Sequence, residues 1–323
     1  MFRLKLFSQG CLVLILAFVY NSLALAWNCV YVSSYHKGYD WSDGVERGLR
    51  AELDGKCDLT QFDMDTKRNK DELYKIKKGR EIAIEIKKIN PDVIITSDDN
   101  AAKYLIVPFF RGGNTPVVFC GINWTVEEYD FPASNITGMV EVAPLRPMLD
   151  WARKLTNEGK SALYLGADTL TEKKNFAHIS EVGASLGLKI FSEYVNSQEE
   201  WQSAIVRGEE VDFIILGSSS GIDGWDEKSA VEFTQQNVKK LTLTNLRWMM
   251  PVSMLGFVKV PEEQGEWAAK TALAIQKGLD VKRIPIVANR KWEVYENTSL
   301  LKLSGKKIPD SLRARAKKYR QGL

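Results

Sequence analysis

Residues 92–100 read Asp92-Val93-Ile94-Ile95-Thr96-Ser97-Asp98-Asp99-Asn100, a short apolar run that ends in polar side chains. A run of this kind, preceded by a helix-ending Asn90-Pro91, is typical of a buried strand in a parallel sheet. The same pattern occurs at residues 29–41 (CVYVSSYHKGYDW) and 116–124 (PVVFCGINW). Ligands of open parallel α/β sheets bind beyond the carboxyl ends of the strands. The three strand ends therefore predict one shared ligand cleft.

Strand and helix patterns alternate on both sides of this segment. Ile76, Ile82, Ile86 and Ile89 recur at helical spacing and predict one apolar helix face. Predicted strands cover residues 29–34, 59–64, 92–96, 116–120, 135–141, 161–165, 189–195 and 211–216. Predicted helices cover residues 42–53, 70–89, 101–110, 144–155, 171–186 and 198–207. Such alternation predicts an α/β fold with parallel, helix-covered sheets, in two similar halves that face each other across a cleft.

The amino terminus has the pattern of a secretory signal peptide. Arg3 and Lys5 precede an apolar stretch over residues 11–20, and Ala24-Leu25-Ala26 provides a small-x-small cleavage site. The alternative is an uncleaved anchor, but the apolar stretch is shorter than the roughly 20 residues that span a bilayer. We expect a signal peptide over 1–26, cleavage after Ala26, and a periplasmic mature protein.

Composition argues against several classes of function. The 44 Lys and Arg against 41 Asp and Glu leave a net charge of +3, so we expect no nucleic-acid partner. The basic carboxyl-terminal stretch 313–320 is interpreted as a solvated helix end. Two histidines and no metal or nucleotide-binding motif predict no metal site, no cofactor, no catalytic residue and no enzymatic activity.

Three cysteines follow the predicted cleavage site, namely Cys29, Cys57 and Cys120. Cys29 and Cys57 begin the first two predicted strands, which are often neighbours in such sheets. Because an exported protein can hold disulfides, Cys29–Cys57 is a candidate disulfide, and Cys120 would then be a free, partly buried thiol.

Aromatic side chains at the first and third strand ends are candidate walls of the cleft. They could stack on a planar ligand or face a cation, and the alternative for each is packing between the lobes. His36 would be either a hydrogen-bond donor at the cleft mouth or an exposed loop residue. The aromatic candidates are Tyr35, Tyr39, Trp41 and Trp124.

Polar candidates come from both halves. Asp98 and Asp99 could balance a ligand ammonium group, whereas Asp99 or Asn100 could equally cap the next helix. The loop 217–221 (GSSSG) could supply hydroxyl and N–H donors to an anion. The remaining polar candidates are Asn123, Glu141, Asp168, Ser218 and Ser219.

Several long blocks of the chain match one family in order. They include SYHKGYDWSDGVERGLR from Ser34, PDVIITSDDNAAKYLIVPFF from Pro91, VVFCGINW from Val117, and WMMPVSMLGFVKVPEEQGEWAAKTAL from Trp248. FDMDTKRN, NITGMVEV, IPIVANRKWEVYEN and LSGKKIPDSL add to the match. The chain resembles the substrate-binding components of ABC transporters, in particular the tryptophan/tyrosine-type periplasmic binding proteins.

The resemblance implies a type I periplasmic-binding-protein fold, with two Rossmann-like lobes joined by three crossover strands. Lobe 1 would comprise 27–139 plus 257–285, and lobe 2 would comprise 140–256 plus 286–323. Related amino-acid binders carry an Asn/Ser/Thr-rich loop where this chain has Asp98-Asp99-Asn100, which weakens a direct transfer of their ligand.

Three functions follow as hypotheses. The leading one is a monomeric periplasmic protein that captures a small polar or amino-acid-like ligand by hinge closure and delivers it to an ABC permease. The alternative is a ligand-sensing subunit for a membrane receptor such as a sensor kinase. An exported enzyme is the third hypothesis.

Overall fold

The computed structural model describes residues 27–319, whose strands form two sheets; the predicted signal peptide lies outside these residues. The strands in chain order are β1 (Asn28–Ser33), β2 (Asp58–Asp63), β3 (Val93–Ser97), β4 (Val117–Asn123), β5 (Ile136–Glu141), β6 (Ser161–Ala167), β7 (Lys189–Val195), β8 (Phe213–Leu216), β9 (Leu241–Thr244), β10 (Leu255–Lys259), β11 (Val287–Ala288), β12 (Trp292–Glu296) and β13 (Ala316–Lys318).

Helices connect and cover these strands. They are α1 (Asp40–Leu53), α2 (Glu72–Ile89), α3 (Asp98–Ala101), α4 (Val107–Phe109), α5 (Leu145–Leu155), α6 (Leu170–Ser185), α7 (Gln198–Arg207), α8 (Glu227–Asn237), α9 (Pro261–Gln276), α10 (Thr298–Leu303) and α11 (Asp310–Arg313). A π-helical turn, Ala102–Ile106, joins α3 to α4, and 3-10 turns cover Glu127–Tyr129, Gly208–Glu210, Arg247–Val252 and Val281–Arg283. In the described part of the chain, no helix has both the length and the apolar character needed to cross a bilayer.

The two sheets define two lobes. The first sheet is parallel, in the order β2-β1-β3-β4-β5-β11. The second has the order β7-β6-β8-β9-β10-β12-β13 and is parallel except where β12 runs antiparallel to β10. We call the first sheet with its helices lobe 1 and the second lobe 2. The predicted alternation of strand and helix is confirmed through β8.

The chain passes between the lobes three times. It leaves lobe 1 after Glu141, returns after Lys259, and leaves again after Ala288. Residues 140–141 and 286–288 therefore belong to lobe 1 and residues 257–259 to lobe 2, the reverse of the expected boundaries. Pairing decides this: β10 lies between β9 and β12, and β11 pairs with β5.

Lobe 1 depends on close packing between α1 and the returning helix α9. Gly48 and Gly265 lie where the two helices meet, and a Cβ on either would overlap the backbone of the other helix. The two helices cover one face of the first sheet, burying Val45, Leu49 and Ala268. The segment after the second crossing is thereby fixed to the amino-terminal lobe.

A disulfide links the first two strands of lobe 1. Cys29 and Cys57 are bonded, with their Cα atoms 6.0 Å apart. Closing a loop with a sequence separation of 28 removes about 3–4 kcal/mol of chain entropy from the unfolded state. Cys120 is free and fully buried.

The basic carboxyl-terminal stretch is not a helix end, contrary to the sequence interpretation. Within residues 304–319, the last that the structure describes, only Asp310–Arg313 is helical, and Ala316–Lys318 forms β13 beside β12. Lys317 Nζ lies 2.5 Å from a Glu293 carboxylate oxygen on that neighbour. Pairing with the sheet edge outweighs the helical propensity of this short segment.

Candidate functional site

A cleft of about 810 Å³ lies between the two lobes. Lobe 1 lines it with the carboxyl ends of β1, β3 and β4, and lobe 2 with the loops after β6, β8 and β9. The sequence-predicted residues that line it are Tyr35, Tyr39, Trp41, Asp98, Asp99, Asn100, Asn123, Trp124, Glu141 and Ser218.

Three predicted site residues do not line the cleft. The His36 imidazole turns toward Asp65, with Nδ1 3.4 Å from its Oδ1. Asp168 pairs with Lys173 at 2.6 Å. Ser219 does not line the cleft, whereas its neighbours Ser218 and Ser220 do. Sequence position identifies a strand end, but alternate residues of the loop beyond it point in different directions.

Asp98 is the most unusual side chain of the cleft. It is 3% exposed, and its Oδ1 accepts a 2.9 Å hydrogen bond from Trp41 Nε1. Its Oδ2 is buried without a hydrogen-bond partner among the described residues. Burial, followed by the nearby Glu141 and Asp99 carboxylates, raises the pKa of Asp98 well above its usual range. An ionised Asp98 therefore keeps one carboxylate oxygen that a cationic ligand could bind.

The backbone around Asp98 creates this position. Asp98 has φ 69°, in the left-handed region. Gly121, at an irregularity in β4 with φ 72°, faces it, and a Cβ there would lie 3.2 Å from Asp98 Oδ1. The irregular strand and its glycine thus leave room for the carboxylate at the cleft floor.

Asp99 and Asn100 are engaged within lobe 1. Asp99 Oδ2 accepts a 2.6 Å bond from Asn123 Nδ2, and its Oδ1 accepts a 2.8 Å bond from Tyr129 Oη. Asn100 Nδ2 donates to Thr66 Oγ1 at 2.8 Å. The alternative capping role is wrong, because the N-cap of α3 is Ser97.

An aromatic pair with a lysine above it forms one side of lobe 1. The rings of Tyr35 and Tyr39 meet edge to face, with centroids 5.3 Å apart. Lys67 Nζ lies 4.6 Å from the Tyr35 centroid and 5.2 Å from that of Tyr39. The Lys67 side chain is reachable by solvent through the cleft, yet protein surrounds it closely enough that desolvation lowers its pKa.

A buried ion pair joins two of the three crossings. Glu141, at the end of β5, pairs with Lys259, at the end of β10. Burial raises the pKa of Glu141, and Lys259 opposes that shift. Lys259 Nζ also lies 5.4 Å from the Trp41 ring centroid. This pair connects the crossings at the cleft floor.

Lobe 2 contributes a second buried carboxylate, Glu172. Its Oε2 accepts bonds from Tyr164 Oη at 2.6 Å and Ser218 N at 2.9 Å, and its Oε1 accepts one from Asn175 Nδ2 at 3.1 Å. Burial raises the pKa of Glu172. Because its oxygens are hydrogen-bonded, Glu172 fixes the Ser218 loop against α6.

Trp124 reaches from lobe 1 to lobe 2. Its ring stacks on His178 with centroids 4.0 Å apart, and its Nε1 donates to Asn175 Oδ1 at 3.2 Å. Nearby, Lys174 lies 3.6 Å from Glu128 across the same gap. Both interpretations of Trp124 therefore apply, since it lines the cleft and packs between the lobes.

Sequence reasoning missed several lining residues, including Lys67, Glu172, Asn175, Asn245 and Lys259. Lys67 follows β2 and Glu172 follows β6, so the strand-end rule already applied to β3 would have found both. Lys259 carried no comparable signal, because its role depends on the crossing geometry. Among residues 27–319, no group of three or more His, Cys, Asp and Glu side chains is placed to hold a metal ion.

No protein-family model and no curated protein matches this chain. Several solved structures, however, are similar to it. The ABC domain in complex with L-Trp from Streptococcus pneumonia is 17% identical, with a TM-score of 0.66 over 91% of this chain and 99% of that one. A ligand-free, open substrate-binding protein with adhesive properties from Clostridium difficile is 12% identical, with a TM-score of 0.73 over 91% and 100%.

A periplasmic ribose ABC transporter from Conexibacter woesei DSM 14684 is also similar, at 14% identity and a TM-score of 0.56 over 87% of this chain and 96% of that one. At these identities the likeness establishes the fold. The predicted type I periplasmic-binding-protein architecture is confirmed.

Proposed function

We propose that this protein is an exported solute-binding protein that captures a small ligand bearing an ammonium group and delivers it to an ABC permease. The observation that carries the proposal is the buried, unpartnered Oδ2 of Asp98 at the floor of the interlobe cleft. A buried charge without a partner is costly, and a ligand cation would offset that cost.

The arrangement of lobes supports capture by closure. Lobe 1 presents Asp98 and the aromatic side chains, while lobe 2 presents Ser218, Asn175 and the end of α6 across the gap. A ligand that contacts both lobes stabilises the closed form by its differential affinity for that form. The disulfide in lobe 1 suits an oxidising compartment outside the cytoplasm. The solved relatives named as substrate-binding proteins support the same role.

A thermal-shift screen against amines, amino acids, nucleosides and small carboxylates tests the proposal. A ligand at about 100 times its Kd should stabilise the protein by roughly 2.7 kcal/mol, a rise in melting temperature of several degrees. The recovered ligand should be chemically unchanged. Conversion into a product would contradict a binding role, as would a screen in which only ligands without an ammonium group bind.

Asp98→Asn tests the anchor itself. The variant keeps the acceptor for Trp41 but removes the negative charge, so affinity for an ammonium ligand should fall about tenfold or more. The matched control is Asp54→Asn, an exposed residue at the end of α1 outside this cleft, which should leave affinity unchanged. Isothermal titration calorimetry gives both values. Equal affinities in Asp98→Asn and the wild type would refute the ammonium anchor.

A further inference from the structure

Most charged side chains that line the cleft already have partners inside the protein. A ligand can therefore pair only with the remaining charges. The paired groups are Asp99 with Asn123 and Tyr129, Glu141 with Lys259, Glu172 with Tyr164 and Ser218, Lys103 with Glu72, and Lys174 with Glu128. The exceptions include Asp98 Oδ2 and the lysines Lys67, Lys70 and Lys75 in lobe 1, and Arg247 in lobe 2.

Lys67 is held in place without using its hydrogen-bonding capacity. Its ammonium lies over the faces of Tyr35 and Tyr39, and among the described residues it donates to no acceptor and forms no ion pair. Cation–π contacts fix the position of the charge while leaving its three N–H donors free. Such a group suits a ligand oxygen that carries negative charge.

Lys67 is also close enough to Asp98 for the two charges to interact. Asp98 raises the pKa of Lys67 against the lowering effect of desolvation, and Lys67 lowers the pKa of Asp98 against the raising effect of burial. The pKa of Asp98 is lowered more by Lys67 than by the other unpaired lining cations, Lys70, Lys75 and Arg247. Lys67 is therefore the unpaired lining cation that is held over two aromatic rings and interacts most strongly with Asp98.

We infer that Lys67 is a specificity-determining residue that binds an anionic group of the ligand, so that the cleft selects a zwitterion with its ammonium at Asp98. The inference rests on the proposed function and specifies its ligand class. A simple amine would satisfy Asp98 but would place its positive charge near Lys67 without compensation. A simple acid would satisfy Lys67 but leave Asp98 unpaired.

The test uses matched compounds. L-amino acids and short dipeptides are screened first, and the tightest binder is then compared with its decarboxylated amine and its deaminated acid by calorimetry. The wild type should bind the zwitterion about tenfold or more tightly than either counterpart, because each lacks one charge-assisted hydrogen bond. Lys67→Met, which keeps the length of the apolar stem, should lower zwitterion affinity to that of the amine. Amine affinity should stay the same or rise.

Lys37→Met is the control, since Lys37 is exposed, lies outside the cleft and changes the net charge equally. Circular dichroism melts confirm that the variants fold. Equal binding of amine and zwitterion by the wild type, or a Lys67→Met variant that weakens both equally or neither, would overturn the inference while leaving the proposed function intact. Binding of amines but of no amino acid or dipeptide would do the same. Failure of every ammonium compound would instead overturn the proposed function.

Discussion

Asp98 is energetically unfavourable both in its backbone conformation and in the burial of its carboxylate. Its backbone has φ 69°, a conformation that costs a non-glycine residue of order 1–3 kcal/mol, and its carboxylate is buried with one oxygen unpartnered. Trp124, which also lines the cleft, has φ 63°. Residues held in such conformations cluster at ligand sites, where the surrounding structure fixes them. We interpret the cost at Asp98 as the consequence of holding a charge ready for a ligand.

The raised pKa of Asp98 sets the direction of a stability prediction. Burial makes the pKa of this carboxyl group higher in the folded state than in the unfolded state, where it is about 3.9. Its contribution to stability is therefore fully present below about pH 3.9 and is lost as the pH rises through the folded-state pKa. Asp98→Asn should therefore raise the stability of the ligand-free protein at pH 7.5, by about 1–3 kcal/mol. Asparagine also tolerates positive φ well.

Thermal melts of the ligand-free variant and wild type at pH 4 and pH 7.5 check this. The gain in melting temperature should be larger at pH 7.5, because at pH 4 the wild-type Asp98 is already largely neutral. A variant that is less stable than the wild type at pH 7.5 would show that Asp98 has a stabilising partner in the folded protein.

The packing of α9 against α1 fixes the returning segment of the chain to lobe 1. Gly265 packs against the backbone of α1 at Val45 and Leu49, and Gly48 packs against Glu262 on α9. Small residues at both points allow the helix backbones to approach closely. Without this approach, α9 could not cover the face of the first sheet beside β4.

Gly265→Ala tests the close approach. In a helix without tertiary contacts the change would stabilise by roughly 0.5–1 kcal/mol. Here the added methyl overlaps the Val45 carbonyl oxygen, so we expect a net destabilisation of about 1–3 kcal/mol, measured by urea unfolding. Gln276→Ala, at an exposed position of the same helix, should change stability by less than about 0.5 kcal/mol. A stabilised Gly265→Ala variant would contradict the packing described.

The whole molecule is held in its present arrangement by contacts on two sides of the cleft. At the floor, Glu141–Lys259 joins the first and second crossings, and Asn289 in the third crossing bonds the Val142 backbone N–H at 2.7 Å. At the rim, Trp124 stacks on His178. Rim contacts are broken when the lobes separate, whereas the floor contacts lie where the chain crosses and can persist.

Trp124→Ala should therefore shift the ligand-free protein toward an open arrangement. The variant loses the ring stack and the bond to Asn175, which together favour contact between the lobes. We expect a larger radius of gyration than for the wild type in small-angle X-ray scattering without ligand. Trp151→Ala, a partly buried tryptophan confined to lobe 2, is the control and should leave the radius unchanged. Identical scattering from Trp124→Ala and the wild type would show that the rim contact does not influence closure.

The sequence alone determined the alternation of strand and helix and the edge of the sheets where a ligand binds. Residues 93–97 are buried on both faces, as is typical of a helix-covered parallel sheet, and the polar ends of such strands meet at one edge. That local logic placed Asp98, Asn123 and Trp124 in the cleft. It also placed Ser218 there, from the opposite lobe.

Only the tertiary structure decided which of those side chains remain free for a ligand. Asp98 and Asp99 are adjacent and chemically identical, yet Asp99 is bonded to Asn123 and Tyr129 while Asp98 keeps an unpartnered oxygen. Lys67, Glu172 and Lys259 line the cleft from separate segments of the chain. Glu141 pairs with Lys259, which lies 118 residues further along the sequence. Side-chain pairing depends on contacts between distant segments, and these form only when the lobes fold and meet.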